Sequence, residues 1–254
     1  MKNAVPLPAF QDNYIWSWFD GKAAVVVDPG DADVVTAWLE ANDYPLQDIL
    51  LTHWHPDHTG GVDTLRQRYG ARVIGPAAER ERLPALDVAV VEGDHVASGG
   101  EDFTVMEIPG HTLGHIAYVG ADCVFCGDTL FHTGCGRLFE GEPEQMYQSL
   151  ARLAALPEHT TVYCTHEYTL ANLAFARRVE PDHDLLRQVE ADAKQRRAQD
   201  APTLPTTIGA QRAFNPFLRA DEVALAEAVS GMVGQAVPPG VDTFAALRAL
   251  KDRS

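Results

Sequence analysis

The stretch Leu50-Leu51-Thr52-His53-Trp54-His55-Pro56-Asp57-His58-Thr59-Gly60-Gly61 constrains this chain more than any other. Three imidazoles and a carboxylate fall within six residues, directly after an apolar run that reads as a short buried strand. In extended backbone, positions i and i+2 share a face, so His53 and His55 can bind one ion together. Pro56 bends the chain and turns Asp57 and His58 toward a second ion nearby. A folded protein gains little from four clustered metal-ligand side chains in a surface loop, so the pattern reads as a metal site.

One such cluster cannot close two coordination shells, and three further candidates stand in the same context, each just past an apolar strand. His111 follows Val105-Met106-Glu107-Ile108-Pro109-Gly110, Asp128 follows Val124-Phe125-Cys126-Gly127, and His166 follows Thr161-Val162-Tyr163-Cys164-Thr165. Open α/β sheets gather active-site groups at such strand ends. Residues 23–27, 49–51, 72–74, 88–91, 103–108, 115–119, 122–125 and 161–163 read as strands. Residues 32–42 and 62–69 read as helices, the second closed by Gly70. From about residue 167 helices dominate, over 168–179, 184–197, 221–232 and 243–251. The pattern implies a layered body with helices outside sheets, then a smaller, mainly helical domain.

Composition narrows the partners. With 20 Lys+Arg against 36 Asp+Glu the chain carries a net charge of −16, the wrong sign for tracking phosphates or an anionic membrane surface. No apolar stretch approaches the roughly 18 residues of a membrane span. Met1 to Pro6 lacks an apolar core of leader length. Cys123, Cys126, Cys135 and Cys164 are too few for a disulfide framework, so a reducing cytoplasm is the expected setting. Cys126 and Cys164 sit in apolar runs, where a thiol acts as a small filler rather than a nucleophile. Asp28 and His115 read either as groups that orient ligands or as ordinary turn and core residues. His95, His132, His159 and His183 have no partner pattern and read as solvated.

Taken together, His53-x-His55-x-Asp57-His58, His111, Asp128 and His166 resemble the metallo-β-lactamase superfamily of binuclear hydrolases. The blocks Pro109-Gly110-His111-Thr112-Leu113-Gly114-His115, Gly127-Asp128-Thr129-Leu130-Phe131, Gly134-Cys135-Gly136-Arg137, Cys164-Thr165-His166-Glu167-Tyr168 and Asn215-Pro216-Phe217 narrow it to glyoxalase II, the hydroxyacylglutathione hydrolases. The resemblance implies an α+β fold: a four-layered αβ/βα sandwich over residues 1–166, then an all-helical domain over 167–254. It gives one metal to His53, His55 and His111 and the other to Asp57, His58 and His166. Asp128 bridges them beside a shared water or hydroxide, so Asp57 and Asp128 carry the catalytic chemistry. Zinc is the first expectation for both ions, with iron and manganese suited to the same donors. Such an ion pair makes hydroxide available near neutral pH and stabilises the oxyanion formed on a carbonyl.

The resemblance also implies the substrate, the thiolester of S-(2-hydroxyacyl)glutathione, typically S-D-lactoylglutathione, in the second step of methylglyoxal detoxification. By spacing alone, Arg248 and Lys251 are a solvated helix end. As an Arg-x-x-Lys pair near the C-terminus they match the family's clamp on the glycine carboxylate, and Arg137 and Tyr168 match further contacts to glutathione. Phe139 stands where some members have a second tyrosine, and Trp54 where many have histidine. A monomer is the expected state. Three rival readings stay open: a mononuclear iron persulfide dioxygenase, a nuclease of the same superfamily, and a metal-binding module without catalysis.

Overall fold

In the computed structural model, which describes residues 4–254, the apolar runs become the inner strands of two sheets. Residues 1–3, part of the stretch read for a leader, lie outside the described residues. The chain forms two compact units: residues 4–108 with Thr112–Gly127, and Pro109–His111 with Asp128–Ser254.

In the first unit, β1 (Val5–Ala9), β2 (Asn13–Phe19) and β3 (Ala24–Val27) run antiparallel in that order. The chain then passes through α1 (Ala32–Asn42) to β4 (Leu46–Leu50), which is parallel to β3. It continues through α2 (Pro56–Thr59) and α3 (Val62–Tyr69) to β5 (Arg72–Pro76) and β6 (Val88–Val90), both also parallel. Every residue of β3 is buried, as befits a strand covered on both faces. One cover is helical: Val35 and Leu39 of α1 and Val62 and Leu65 of α3 pack with Val26, Ile49 and Val73, each buried aliphatic contributing about 1.5–3 kcal/mol.

The other cover is a second, antiparallel sheet of β7 (His95–Ser98), β8 (Glu101–Glu107), β9 (Ile116–Val119) and β10 (Cys123–Gly127). Trp18 of β2 ties it to the first: its ring stacks on Phe125 at 5.5 Å and meets Phe103 edge-on at 6.0 Å. Its indole N–H donates to the Gly99 carbonyl at 3.1 Å. Helices, parallel-rich sheet and antiparallel sheet thus form three layers in this unit. The ends of β4 and β9 meet through the Ile116 N–H, which donates to the Thr52 carbonyl at 3.0 Å, one residue before His53.

The second unit begins with the two-residue strands β11 (Leu130–Phe131) and β12 (Gly134–Cys135), followed by α4 (Pro143–Ala154) and β13 (Thr161–Cys164). Helices α5 (Thr169–Val179) and α6 (Asp184–Arg197) precede β14 (Thr206–Thr207), which pairs antiparallel with β13. Three helices complete it: α7 (Ile208–Phe214), α8 (Val223–Val233) and α9 (Val241–Asp252). The mainly helical reading after residue 167 therefore holds apart from β14. Leu173, Ala176, Leu186, Ala193 and Phe214 form the core of this helical part. Asn215 earns its place in the Asn-Pro-Phe block: its amide donates to the Phe131 and Gly134 carbonyls at 3.2 and 3.0 Å, and its oxygen accepts the Phe217 N–H.

Two of the histidines read as solvated are not. His132 is half-buried, stacked on Phe214 at 5.5 Å, and burial lowers its pKa to about 4. His183 sits at the N-terminus of α6 and accepts the Leu186 N–H at 3.4 Å. His95 and His159 are exposed. Among the described residues no helix is long and apolar enough to cross a membrane.

Candidate metal centre and ligand pocket

Each unit carries a group of His and Asp side chains, of the types that can hold a metal ion, at strand ends. In the first unit, β4 ends at Leu50 and the chain turns through His53 and His55 into the single turn of α2, with Pro56 in its first turn. That turn sets Asp57 and His58 beside the two preceding imidazoles. His53 Nε2 lies 3.0 Å from His55 Nδ1, and His58 Nε2 lies 3.3 Å from Asp57 Oδ2. The close approach of the Asp57 carbonyl to Gly30 requires a glycine there: a Cβ at position 30 would sit 1.9 Å from that oxygen.

Asp28 sets the orientation of this group. It follows β3 in the left-handed region, φ 53°, which aims its carboxylate across the strand ends. It accepts the Thr52 N–H at 2.8 Å and the Thr52 hydroxyl at 2.7 Å, and its Oδ2 lies 3.1 Å from His58 Nδ1. Donor atoms of Asp28, His53 and His58 lie within 4.8 Å of one another. Because Asp28 engages the Nδ1 side of His58 while Asp57 faces Nε2, Asp28 fixes the ring and leaves Nε2 to a ligand. His115 is buried, stacks on His53 at 4.5 Å and brings its Nδ1 within 3.1 Å of the Ile116 carbonyl. Of the two readings open for Asp28 and His115, orientation of neighbouring imidazoles is the one the contacts with His58 and His53 favour. Sequence reasoning missed Asn13 as an orienting group: its amide donates to Asp57 Oδ2 at 3.0 Å.

In the second unit, Asp128 stands between two imidazoles. Its Oδ2 lies 3.5 Å from His111 Nε2 and 3.2 Å from His166 Nε2. His111 Nδ1 lies 2.8 Å from the Arg137 carbonyl, so Nδ1 carries the proton and Nε2 offers its lone pair. Tyr168 stacks on His166 at 4.6 Å with the rings nearly parallel, and Phe131 meets His166 edge-on.

The donor sets fit divalent ions. Two atoms bound to one tetrahedral ion at ~2.1 Å lie ~3.4 Å apart, and the spacings above run from 3.0 to 3.5 Å. Imidazoles with carboxylates suit zinc, iron and manganese. Asp28→Asn keeps the size of the side chain and removes the charge behind His58. Metal affinity should fall by roughly 10–100-fold, measured by chelator competition, and an unchanged affinity would show that Asp28 does not tune the ligand.

The second unit also holds the cationic residues picked out near the C-terminus. A cavity of about 310 Å³ is lined by Phe131, Arg137, Tyr168, Arg248, Lys251 and Asp252, with Cys135 and Asn172 beside them. Arg248 is not a solvated helix end. It is buried, donates Nη1 to the Cys135 carbonyl at 2.9 Å and Nη2 to Asp252 Oδ1 at 3.0 Å, and lies over the Phe217 ring. Lys251 is half-buried and donates to the Ala171 carbonyl at 3.2 Å. Burial, then the charges of Arg248 and Arg178, hold its pKa below the usual lysine value. Phe139 is exposed, 5.2 Å from the His111 ring and 5.9 Å from the Arg137 guanidinium. Burial pushes the Cys123 and Cys135 thiols up to about 11, so neither supplies a thiolate at neutral pH.

Two family models together match residues 9–254. Residues 9–166 match the family model "Metallo-beta-lactamase superfamily", and residues 167–254 match "Hydroxyacylglutathione hydrolase C-terminus". Proteins named hydroxyacylglutathione hydrolase from Pseudomonas putida F1 and Pseudomonas aeruginosa PAO1 are each 52% identical over 253 residues, covering 97% of both chains. Among solved structures, the BLEG-1 B3 metallo-β-lactamase is similar with a TM-score of 0.65 at 26% identity, covering 85% of this chain and 98% of its own. ETHE1 from Myxococcus xanthus is similar with a TM-score of 0.61 at 26% identity, covering 96% and 98%.

Proposed function

The chain belongs to the hydroxyacylglutathione hydrolases of the metallo-β-lactamase superfamily, and on that premise we propose that it hydrolyses S-(2-hydroxyacyl)glutathione, typically S-D-lactoylglutathione, to glutathione and a 2-hydroxy acid. The single observation that carries this reading is the concurrence of two kinds of site: His/Asp donor sets spaced for divalent ions and a cavity whose cations suit a small anionic ligand. His53, His55 and His111 would hold one ion and Asp57, His58 and His166 a second, with Asp128 shared between them. Zinc is the first candidate for both. When bound, such ions supply Lewis acidity, making water nucleophilic near neutral pH and stabilising an oxyanion.

The chain's own side chains do the rest. Asp28 and the Arg137 carbonyl hold the Nδ1 sides of His58 and His111, leaving each Nε2 as the donor. Arg137, Arg248 and Lys251 offer N–H groups to the glycine carboxylate of glutathione, and the Tyr168 hydroxyl offers another to its backbone. The departing group is a thiolate whose parent thiol has a pKa of about 8.5, so no strong general acid is required. The charged side chains of the cavity are Arg137, Arg248, Lys251 and Asp252.

We also propose that residues 1–166 carry the chemistry and 167–254 much of the glutathione contact, that a single chain is the working unit, and that it works in the cytoplasm. The division is supported by the family matches over 9–166 and 167–254, and the compartment by four cysteines that are all buried thiols. The deciding experiment follows loss of the thiolester of S-D-lactoylglutathione together with metal stoichiometry by elemental analysis. Turnover with about two equivalents of metal supports the reading; metal-replete protein that leaves the thiolester intact overturns it.

A further inference from the structure

The ligand cavity carries its own carboxylate. Arg137, Arg248 and Lys251 bring three positive charges to its wall, and Asp252 is the acidic side chain among the lining residues. One oxygen of Asp252 serves both arginines: Oδ1 accepts from Arg248 Nη2 at 3.0 Å and lies 3.3 Å from Arg137 Nε. The two arginines come from distant parts of the sequence, one just after β12 and one on α9. They converge on this single atom.

We propose that Asp252 is a specificity-determining residue, a built-in counter-ion that occupies the point where Arg137 and Arg248 converge and competes with the carboxylate of an incoming glutathione moiety. The inference rests on the reading of this cavity as the glutathione site. Its physical basis is the cost of gathering like charges. Burial and the neighbouring Arg248 and Arg178 already disfavour the charged form of Lys251, and Asp252 offsets part of that repulsion when no ligand is present. Arg248 is only partly satisfied by it: Nε is buried and has no acceptor among the described residues, whereas a carboxylate can take an arginine through two oxygens. Asp252, one-third exposed, is free to turn toward solvent when a better partner arrives. The same competition weakens the hold on product glutathione, which presents the identical carboxylate, and so favours its release.

The alternative is that Asp252 is an ordinary i,i+4 partner of Arg248 at a helix end, of little consequence for binding, or a residue that positions the arginines. The signs differ. If Asp252 competes, Asp252→Asn tightens glutathione binding and lowers KM by about 3–10-fold, the scale expected for removing one partly screened charge a few ångström away. Asp252→Glu, which keeps the charge, stays near wild type in both. Affinity for glutathione is read by calorimetry on wild type and both variants, with KM for the thiolester measured alongside and the thermal midpoint as a check on folding. An unchanged or weaker affinity in Asp252→Asn overturns the proposal, as does equal tightening in Asp252→Glu, which would tie the effect to shape rather than charge. Glutathione binding without turnover in the wild type would sink the proposed reaction and still decide the role of Asp252. A wild type that fails to bind glutathione overturns the counter-ion as well.

Discussion

Asp128→Ala is expected to lower kcat at saturating substrate by roughly 10³-fold, the equivalent of about 4 kcal/mol of lost transition-state stabilisation. The magnitude follows from position: one oxygen of this carboxylate faces His111 Nε2 and His166 Nε2 together. Removing it takes a negative charge from two donor groups at once, so metal content should fall with activity and added ions should restore little. Asp128→Asn gives the sharper comparison, because it keeps the shape and a neutral oxygen while losing the charge. Elemental analysis beside saturation kinetics checks both variants, and retention of more than a tenth of wild-type kcat by Asp128→Ala would remove Asp128 from the chemistry.

Arg248→Ala/Lys251→Ala should act on the other kinetic constant, raising KM by roughly 10–100-fold with a much smaller change in kcat, as expected when binding shared by ground and transition states is lost. Two charge-assisted hydrogen bonds at ~1.5–3 kcal/mol each would allow roughly 10²–10⁴-fold, and solvent at the half-buried Lys251 brings the expected rise below that ceiling. Arg248 also donates to the Cys135 carbonyl, so its removal costs stability as well as binding. Lys251→Ala alone separates the two effects: Lys251 gives up a hydrogen bond to the Ala171 carbonyl at 3.2 Å, and its share of the KM rise should come with little change in thermal midpoint. A double variant with wild-type KM would show that the glutathione carboxylate is held elsewhere.

Much of this was legible in the chain because the relevant signals are local. The stripe through Val62 and Leu65 with Gly70 behind it describes α3 to the residue, and α6 likewise spans 184–197 as read. The donor motif was legible because its residues have no other common use. The hairpin of β1 and β2 was not: six of the seven residues of β2 are buried, erasing alternation, and Pro6 and Pro8 discourage a strand reading of β1. Helix α4 hid behind Gly141 and Pro143, although Glu142 and Gln145 form a reciprocal cap that marks its start. Asn13 and Glu79 were out of reach for a different reason. Asn13 finds Asp57 across 44 positions, and buried Glu79 accepts from Thr112 and from the Gly114 N–H 35 positions away. No local pattern encodes such pairings. Arg248 shows the converse, since its spacing suggested a solvated face and tertiary packing buried it.

The peptide group of Arg137 has two masters. Its carbonyl steadies the His111 ring at 2.8 Å, while its side chain lines the cavity proposed to take the glutathione carboxylate. Whatever tugs on that guanidinium also leans on the imidazole of His111, a proposed metal ligand, through a single residue of main chain. A paramagnetic ion such as cobalt, loaded in place of the native one, would therefore work as an internal reporter, its spectrum shifting on arrival of glutathione even when nothing is consumed.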